Sequence, residues 1–294
     1  MYADDTGFND WSLFGAVATR TPEIERMARE GAVFTSFYTA ESLCSPSRAG
    51  IMTGRFPVRN GVVPTEGGDA RVFGVTDTGG LPRNETSMAT MLRSYGYSTG
   101  MVGKWHLGIN KEPNDGYYLP HNHGFDSVAH TLPFSNHWRC DESGKFEKEP
   151  DPELCFLYDG TGTVPVQQPI NHTWLTKTLA MEAVDFINNA TSTPTSRKPY
   201  FLYYAFAHNH VSLFSSPDFP ADASPRGLYG AENMELDWAV GQVMETIRST
   251  DNNTFVVLTS DHGAHIELCL SGGSNAPFRG GKANSVWEGG TRVP

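Results

Sequence analysis

The chain has 294 residues, of which 38% are hydrophobic and 19% charged, and its net charge is −11 at pH 7. This composition predicts a packed protein of one large domain or two smaller ones and argues against a disordered chain. The acidic balance argues against nucleic-acid binding, which needs a basic face. No apolar stretch approaches the roughly 18 residues of a membrane-spanning helix, so no membrane span is expected. Because the chain is acidic as a whole, any site that binds an anion must supply its own local positive charge.

Helix and strand patterns alternate along the chain. Helices are predicted over residues 22–30, 46–53, 87–95, 175–189 and 231–249, and strands over 33–38, 99–102, 199–207 and 254–259. Thr21 is placed to cap the first helix, and Met91 and Tyr95 lie on the apolar face of the third. Strands without polar alternation, separated by helices, are typical of an α/β fold with a mostly parallel sheet.

Both ends of the chain have the character of cut ends. Asp4 and Asp5 look like residues that end a strand, yet only three residues precede Asp4, and Pro294 falls within a continuing pattern. We therefore expect a single catalytic domain over residues 1–294 whose first strand is missing. Because such a domain lacks an anchor for its first two aspartates, residues 1–294 are expected to be inactive alone.

The most informative run is Cys44-Ser45-Pro46-Ser47-Arg48, which continues as Ala49-Gly50-Ile51-Met52-Thr53-Gly54-Arg55. Cys44 precedes a helix predicted to begin at Pro46, so its side chain lies at the positive end of a helix dipole among free backbone N–H groups. Arg48 follows about one turn later and reaches the same anion. Taken alone, the run also fits a buried structural cysteine before a proline-started helix.

The string C-x-P-S-R with the following T-G-R resembles the motif of the type I sulfatase family. Further segments match that family in order and spacing over nearly the whole chain: Ala3-Asp4-Asp5, Gly103 to Gly108, Thr259 to Gly263, Gly281-Lys282 and Glu288-Gly289-Gly290. The resemblance implies an alkaline phosphatase-like α/β fold, a mostly parallel mixed sheet flanked by helices, with a smaller C-terminal domain beyond this chain. Within the family, residues 43–62 and 272–278 are most similar to N-acetylgalactosamine-6-sulfatase and then to arylsulfatase A.

The resemblance implies two cofactors. A formylglycine-generating enzyme would convert Cys44 to formylglycine, and a calcium ion would be held by that group with Asp4, Asp5, Asp261 and His262. Three carboxylates at the ends of strands suit a hard, oxygen-seeking ion. The family commonly has Asn at the position of His262, and an imidazole is a poorer calcium ligand than an amide oxygen.

The implied reaction is hydrolysis of a sulfated sugar or an aryl sulfate. The residues that the resemblance assigns to catalysis and sulfate binding are Cys44, Arg48, Lys104, His106, His210 and Lys282, with Ser135 touching the sulfate or the ion. Hydrated formylglycine, favoured as its alkoxide by calcium and Arg48, attacks sulfur. The alcohol leaves with a proton from His210 or Lys282, and His106 helps to expel sulfate and restore the aldehyde.

Three alternative functions are also suggested, each by a different feature of the sequence. Gly96-Tyr97-Ser98-Thr99-Gly100 matches the G-x-S-x-G string of serine hydrolases, but a nucleophile elbow needs a strand before it and a helix after it, and the prediction here is the reverse. His121-Asn122-His123 and His208-Asn209-His210 suggest a metal-dependent phosphatase of the same superfamily. An inactive, truncated relative that only binds its ligand is the third.

The sequence also bears on location and partners. N-x-S/T sequons at Asn84, Asn171, Asn189 and Asn252 favour a lysosomal or secreted glycoprotein, although no signal peptide is visible in the chain. Cys140 and Cys155 either form a disulfide or remain two reduced thiols. Besides the substrate and the modifying enzyme, a homodimer is left open.

Overall fold

The computed structural model describes residues 1–16, 18–63, 72–75, 77–134, 157–158, 165–192, 198–250 and 253–294. The strands in this part are β1 (Tyr2–Ala3), β2 (Phe37–Tyr38), β3 (Ser98–Lys104), β4 (Ser127–Leu132), β5 (Leu157–Tyr158), β6 (Pro165–Gln167), β7 (Tyr200–Ala205), β8 (Thr259–Ser260) and β9 (Arg292–Val293). The α-helices are α1 (Pro22–Glu30), α2 (Cys44–Thr53), α3 (Pro57–Asn60), α4 (Met88–Ser94), α5 (His172–Thr191), α6 (Gly227–Thr250) and α7 (Glu288–Thr291).

The main sheet has seven strands in the order β6-β5-β4-β3-β7-β1-β8. The five strands that lie side by side as β4-β3-β7-β1-β8 run parallel to one another. At the other edge of β4, β5 pairs antiparallel with β4, and β6 pairs antiparallel with β5. A separate pair joins β2 to β9. The predicted α/β class with a mostly parallel mixed sheet is therefore confirmed.

Both faces of the sheet are covered, as a parallel sheet requires. Successive residues of one strand go to opposite sides: Tyr203 packs with the α2 and α4 side, and Tyr204 packs with the α5 and α6 side. Met101 and Val102 divide in the same way on β3. This burial on both faces explains why these strands lack polar alternation. No helix in the described part of the chain is long and apolar enough to cross a membrane.

Several local predictions were wrong in their details. The expected strand over 33–38 is reduced to β2, and Phe34 is 69% exposed. The expected strand over 254–259 is reduced to β8, which begins at Thr259, and Phe255 is 92% exposed. On α4 the buried residue is Ala89, whereas Met91 and Tyr95 face outward. In each case an apolar side chain was expected to be buried, but no described element packs over it.

The first helix begins at Pro22 as predicted, but its cap comes from elsewhere. The Thr21 side chain makes no capping bond to α1; its Oγ1 accepts a hydrogen bond from Ser12 N–H at 3.0 Å. Asp237 of α6 accepts the N–H groups of Glu23 and Ile24 at 3.2 and 2.8 Å. A carboxylate from a distant helix thus satisfies the free donors at the start of α1.

Candidate active site

The candidate site lies where the parallel strands end. Asp4 and Asp5 follow β1, Lys104 is the last residue of β3, and Asp261 follows β8 directly. His210 lies in the loop after β7. Because parallel strands bring their carboxyl ends to one edge of the sheet, residues far apart in sequence meet there.

Cys44 enters this edge from α2. The helix begins at Cys44 and not at Pro46, because the N–H of Ser47 already donates to the carbonyl of Leu43 at 3.0 Å. Pro46 fits within this first turn, where a missing N–H costs nothing. Leu43 provides no side-chain cap, and Cys44 is 2% exposed. The Cys44 side chain is therefore held at a buried, uncapped helix N-terminus, which favours negative charge.

Arg48 is a buried cation that joins two of the aspartates. Its NH2 group lies 2.8 Å from Asp261 Oδ2 and 3.3 Å from Asp4 Oδ1, and its guanidinium lies over the ring of Tyr2. Its NH1 group donates to the carbonyl of Lys104 at 3.3 Å. The side chains of Arg48, Asp4 and Asp261 are all 0% exposed. Ion pairs this deeply buried need excellent geometry to repay the desolvation of their charges.

Two lysines balance the first two aspartates. Nζ of Lys104 donates to Asp4 Oδ2, and Nζ of Lys282 donates to both oxygens of Asp5 at 2.9 and 2.7 Å. Burial alone would raise the pKa of Asp4, but the charges of Lys104 and Arg48 hold it well below its usual range. Burial likewise opposes the low pKa of Asp5, which Lys282 produces. The local positive charge expected for an anion site in this acidic chain is present.

His262 lies between the sulfur and the carboxylates. Its Nε2 is 3.2 Å from Cys44 Sγ, 3.2 Å from Asp5 Oδ1 and 3.6 Å from Asp261 Oδ1. Burial would lower the pKa of His262, but Asp261 and Cys44 outweigh burial and raise it to about 9. A Cβ at Gly263 would lie 1.7 Å from the carbonyl oxygen of Gly289, so this close approach requires glycine after His262.

Two further histidines face the same region. Burial and the charge of Lys282 lower the pKa of His210 to about 3. Burial and the charge of Lys104 hold the pKa of His106 well below its usual range. Both ring nitrogens of His106 are buried and make no hydrogen bond to any described residue. His106 also has a φ of 56° and Asp5 a φ of 51°, a left-handed backbone that non-glycine residues adopt chiefly where the surroundings enforce it.

The geometry of the carboxylates fits a metal ion. Two groups of side chains in the described part of the chain bring their ligand atoms within 4.8 Å of one another: Asp4, Cys44, Asp261 and His262, and Asp5, Cys44 and His210. Oδ1 of Asp4 is buried and accepts no hydrogen bond, although Arg48 is close to it. An orphaned buried carboxylate oxygen beside two other carboxylates is a natural ligand for a hard cation.

Almost all of the predicted site residues come together here. Ser135 lies outside the described residues, as do Cys140, Cys155 and Asn252. Asn275 is a supporting residue that was missed: it accepts the N–H of Ala264 at 2.8 Å and donates to the carbonyl of Gly280 at 2.9 Å. It thereby ties the segment after β8 to the turn before Lys282. Sequence offered no signal for this role beyond the similarity of residues 272–278 to the family.

Two of the rival motifs lie outside this group of residues, whereas His210 of the His208-Asn209-His210 motif lies within it. Ser98 begins β3, so it is at the opposite end of that strand from Lys104, with α4 before it and a strand after it. This arrangement excludes a nucleophile elbow, as predicted. His121 and His123 belong to neither group of candidate metal ligands found among the described residues. Cys269 is exposed and forms no disulfide with any described residue.

Several known proteins are similar to this chain in sequence. The profile of the Sulfatase family matches residues 2–294. An arylsulfatase of Hemicentrotus pulcherrimus is 43% identical over 297 residues, which cover 100% of the chain and 52% of that protein. Arylsulfatase G of Homo sapiens is 38% identical and steryl-sulfatase of Rattus norvegicus 37% identical; both cover 100% of the chain, and the matches span 58% and 60% of those proteins.

Known structures share the fold. A sulfatase from Pseudoalteromonas sp. superimposes with a TM-score of 0.81 at 30% identity, over 100% of the chain and 60% of that structure. The structure of Ps i-CgsB gives a TM-score of 0.79 at 28% identity, over 100% of the chain and 63% of that structure. A phosphonate monoester hydrolase of Agrobacterium radiobacter, at 17% identity and a TM-score of 0.61, shares the fold alone.

The chain spans between 52% and 63% of the length of the relatives and solved structures described above. Relatives named arylsulfatase, arylsulfatase G and steryl-sulfatase match it at comparable identity, so its branch stays a prediction. The family profile nevertheless covers nearly every residue, and the relatives exceed 30% identity over the whole chain. The chain therefore belongs to the sulfatase family.

Proposed function

We propose that this chain forms the catalytic part of a sulfatase that hydrolyses a sulfated sugar or an aryl sulfate, using formylglycine made from Cys44 and a calcium ion. The observation that carries the proposal is the position of Cys44. Its side chain lies at the buried N-terminus of α2, 3.2 Å from Nε2 of His262 and within the group formed with Asp4 and Asp261. A nucleophile at this place faces both the metal ligands and the cations.

The cations suit a sulfate ester. The side chains of Arg48 and Lys104 are 0% exposed and that of Lys282 is 11% exposed. Fixed donors in a buried site stabilise charge on the oxygens of the sulfuryl group without reorganising during the reaction. His210 or Lys282 would supply the proton to the departing alcohol, and His106 would act on the sulfated enzyme.

The residues present fit both cofactors. Asp4, Asp5 and Asp261 would hold calcium, with His262 beside them and Ser135 assigned only by resemblance. Bound calcium would polarise sulfate oxygens and favour the ionised nucleophile. Conversion of Cys44 to formylglycine replaces a soft sulfur by oxygen, which makes the ligand set more suitable for a hard ion.

The direct test is turnover. The protein that carries this chain would be produced with a formylglycine-generating enzyme, and hydrolysis of 4-nitrophenyl sulfate would be compared with that of 4-nitrophenyl phosphate. The mass of the Cys44 peptide would report the modification. We expect sulfate-ester turnover that depends on the modified residue. Phosphate turnover without sulfate turnover would instead establish the phosphatase reading, and binding without turnover would establish the inactive relative.

We also propose a lysosomal or secreted location. The three sequon asparagines in the described part of the chain, Asn84, Asn171 and Asn189, are all exposed, so each is accessible to a glycan. A decrease in mass after enzymatic removal of N-linked glycans from protein made in animal cells would support this route. An unchanged mass would count against it.

A further inference from the structure

The loop that carries His210 is attached to α6 by two buried glutamates. Glu232 and Glu235 are three positions apart, so they lie on one face of the helix, and they are 0% and 1% exposed. Glu232 Oε1 accepts the N–H of Phe214 at 2.6 Å, and Glu235 Oε2 accepts the N–H of Ser216 at 3.1 Å. Both carboxylates therefore hold the segment that follows His210.

The same two carboxylates enclose the residue that comes two positions before His210. Nε2 of His208 lies 3.3 Å from Glu235 Oε2, and its Nδ1 lies 3.6 Å from Glu232 Oε1. Thr176 of α5 approaches Nε2 as well, with its Oγ1 at 2.6 Å. His208 is itself 1% exposed. Glu232 and Glu235 thus contact the chain on both sides of His210.

The backbone of His208 and Asn209 also holds the first aspartate of the candidate metal site. The N–H of Asp4 donates to the carbonyl of His208 at 2.8 Å, and the N–H of Asn209 donates to the carbonyl of Asp4 at 2.6 Å. Asn209 Oδ1 accepts a further hydrogen bond from Thr6 at 3.0 Å. A displacement of His208 would therefore be transmitted to Asp4 as well as to His210.

We propose that Glu232 and Glu235 are positioning residues, which act through His208 to set the places of His210 and Asp4. This inference rests on the proposed function, since it assigns a task to residues behind that same site. Burying two carboxylates carries a large desolvation penalty, and apolar side chains of similar size would fill the space without it. Fixing a loop by directed hydrogen bonds is a task that apolar side chains do not perform. A misplacement of about 1 Å can lower a rate by about 10²-fold.

The test substitutes the glutamates without changing their size. Glu232→Gln and Glu235→Gln would be compared with Glu245→Gln, the same change at an exposed position of α6 where the side chain is 70% exposed. His210→Ala is the reference for loss of His210 itself. For each variant, kcat and KM would be measured with 4-nitrophenyl sulfate and with a sulfate ester of a poorer leaving group, such as an alkyl sulfate. Calcium affinity by calorimetry and the thermal unfolding midpoint would be measured on the same samples.

We expect Glu235→Gln to lower kcat by about 10- to 100-fold on the poor leaving group and by a smaller factor on 4-nitrophenyl sulfate. The ratio of the two losses should change in the same direction as in His210→Ala, because both variants impair the same group. Calcium affinity should fall by about 10-fold relative to Glu245→Gln, at the lower end of the range that partners behind metal ligands contribute. Glu232→Gln should behave in the same way.

An equal loss on both substrates, accompanied only by a lower unfolding midpoint, would show that the glutamates merely stabilise the fold and would overturn the inference. So would kinetics and calcium affinity equal to those of Glu245→Gln. If the glutamine variants do not fold, Thr176→Val decides, because it removes only the hydroxyl contact to His208 and should shift the substrate ratio in the same direction. A wild-type protein that turns over no sulfate ester would refute the proposed function, and the positioning role would fall with it.

Discussion

Nζ of Lys282 lies 2.9 and 2.7 Å from the two carboxylate oxygens of Asp5, although 277 positions separate the two residues. This contact joins the segment that follows β1 to the loop that precedes α7. It places a cation close to the candidate nucleophile Cys44. The protonation state of Lys282 depends in turn on its surroundings. Burial lowers the pKa of Lys282, but Asp5 and Cys44 outweigh burial and raise it above its usual range. Lys282 is thus held as a cation.

Lys282→Ala is therefore expected to lower kcat/KM for an aryl sulfate by about 10²- to 10³-fold, the usual loss when one fixed donor to a developing anion is removed. The matched control is Lys177→Ala, which breaks a surface ion pair with Asp218 in which the carboxylate is 61% exposed. That change should leave kcat/KM within about 2-fold, since surface pairs contribute little. Similar losses in the two variants would argue against a role for Lys282 in the site.

The nucleophile gives a second prediction. Cys44→Ala should reduce turnover by about 10³-fold or more, equivalent to about 4 kcal/mol of barrier, while the unfolding midpoint changes little. Cys44→Ser should also fail to turn over, but it should accumulate a covalent sulfate adduct that intact mass spectrometry detects. A serine ester lacks the second hydroxyl that would expel the sulfate. Normal turnover by either variant would rule out formylglycine at this position.

Removal of the metal gives a third prediction. Chelation should lower the activity, and added calcium should restore it, because the buried carboxylates of Asp4, Asp5 and Asp261 offer oxygen ligands and Oδ1 of Asp4 accepts no hydrogen bond. Calcium should also raise the unfolding midpoint, since a ligand that binds only the folded protein stabilises it. Elemental analysis that finds stoichiometric zinc, without calcium or magnesium, would favour the phosphatase reading.

The site was easier to predict than the elements that support it. Asp4, Lys104 and Asp261 each belong to a short motif at a strand end, so their meeting follows from the parallel sheet. The role of Glu235 had no such signal, because a glutamate within a helix is normally exposed. Glu235 is buried because the loop after β7 packs against α6, where the N–H of Ser216 donates to the glutamate. Only the tertiary structure contains that information.

The same reason explains the shortened strands. Phe34 and Phe255 belong to runs of apolar residues, and such runs indicate burial without naming the partner. A strand exists only where a neighbouring strand offers hydrogen bonds, and this neighbour is distant in sequence. In the described structure β1 pairs with Thr259 and Ser260 of β8, while Phe255 stays 92% exposed. Hydrophobicity alone therefore predicted the place of these elements better than their length.

The last prediction concerns acid stability and involves His123, outside the candidate site. His123 is 2% exposed, its ring lies against Trp105 at 5.4 Å between centroids, and its Nε2 makes no hydrogen bond to any described residue. Burial, aided by the charge of Arg83, lowers the pKa of His123 from 6.5 to about 4. The unfolded chain therefore takes up this proton at a higher pH than the folded protein does. The associated stability is complete above pH 6.5 and is lost as the pH falls towards about 4.

His123→Phe should flatten this part of the pH dependence, since phenylalanine fills the pocket against Trp105 but cannot take up a proton. Each pH unit over which the unfolded chain alone is protonated costs about 1.4 kcal/mol, so the wild type should lose up to about 3 kcal/mol in this window through His123. The measurement is the free energy of unfolding by urea between about pH 4 and pH 8, taken in steps of about half a pH unit. The variant and the wild type should differ in slope below pH 6.5 and run parallel above it. Parallel curves over the whole range would mean that His123 is protonated equally in the folded and unfolded chains, and that the acid sensitivity of the protein comes from other groups.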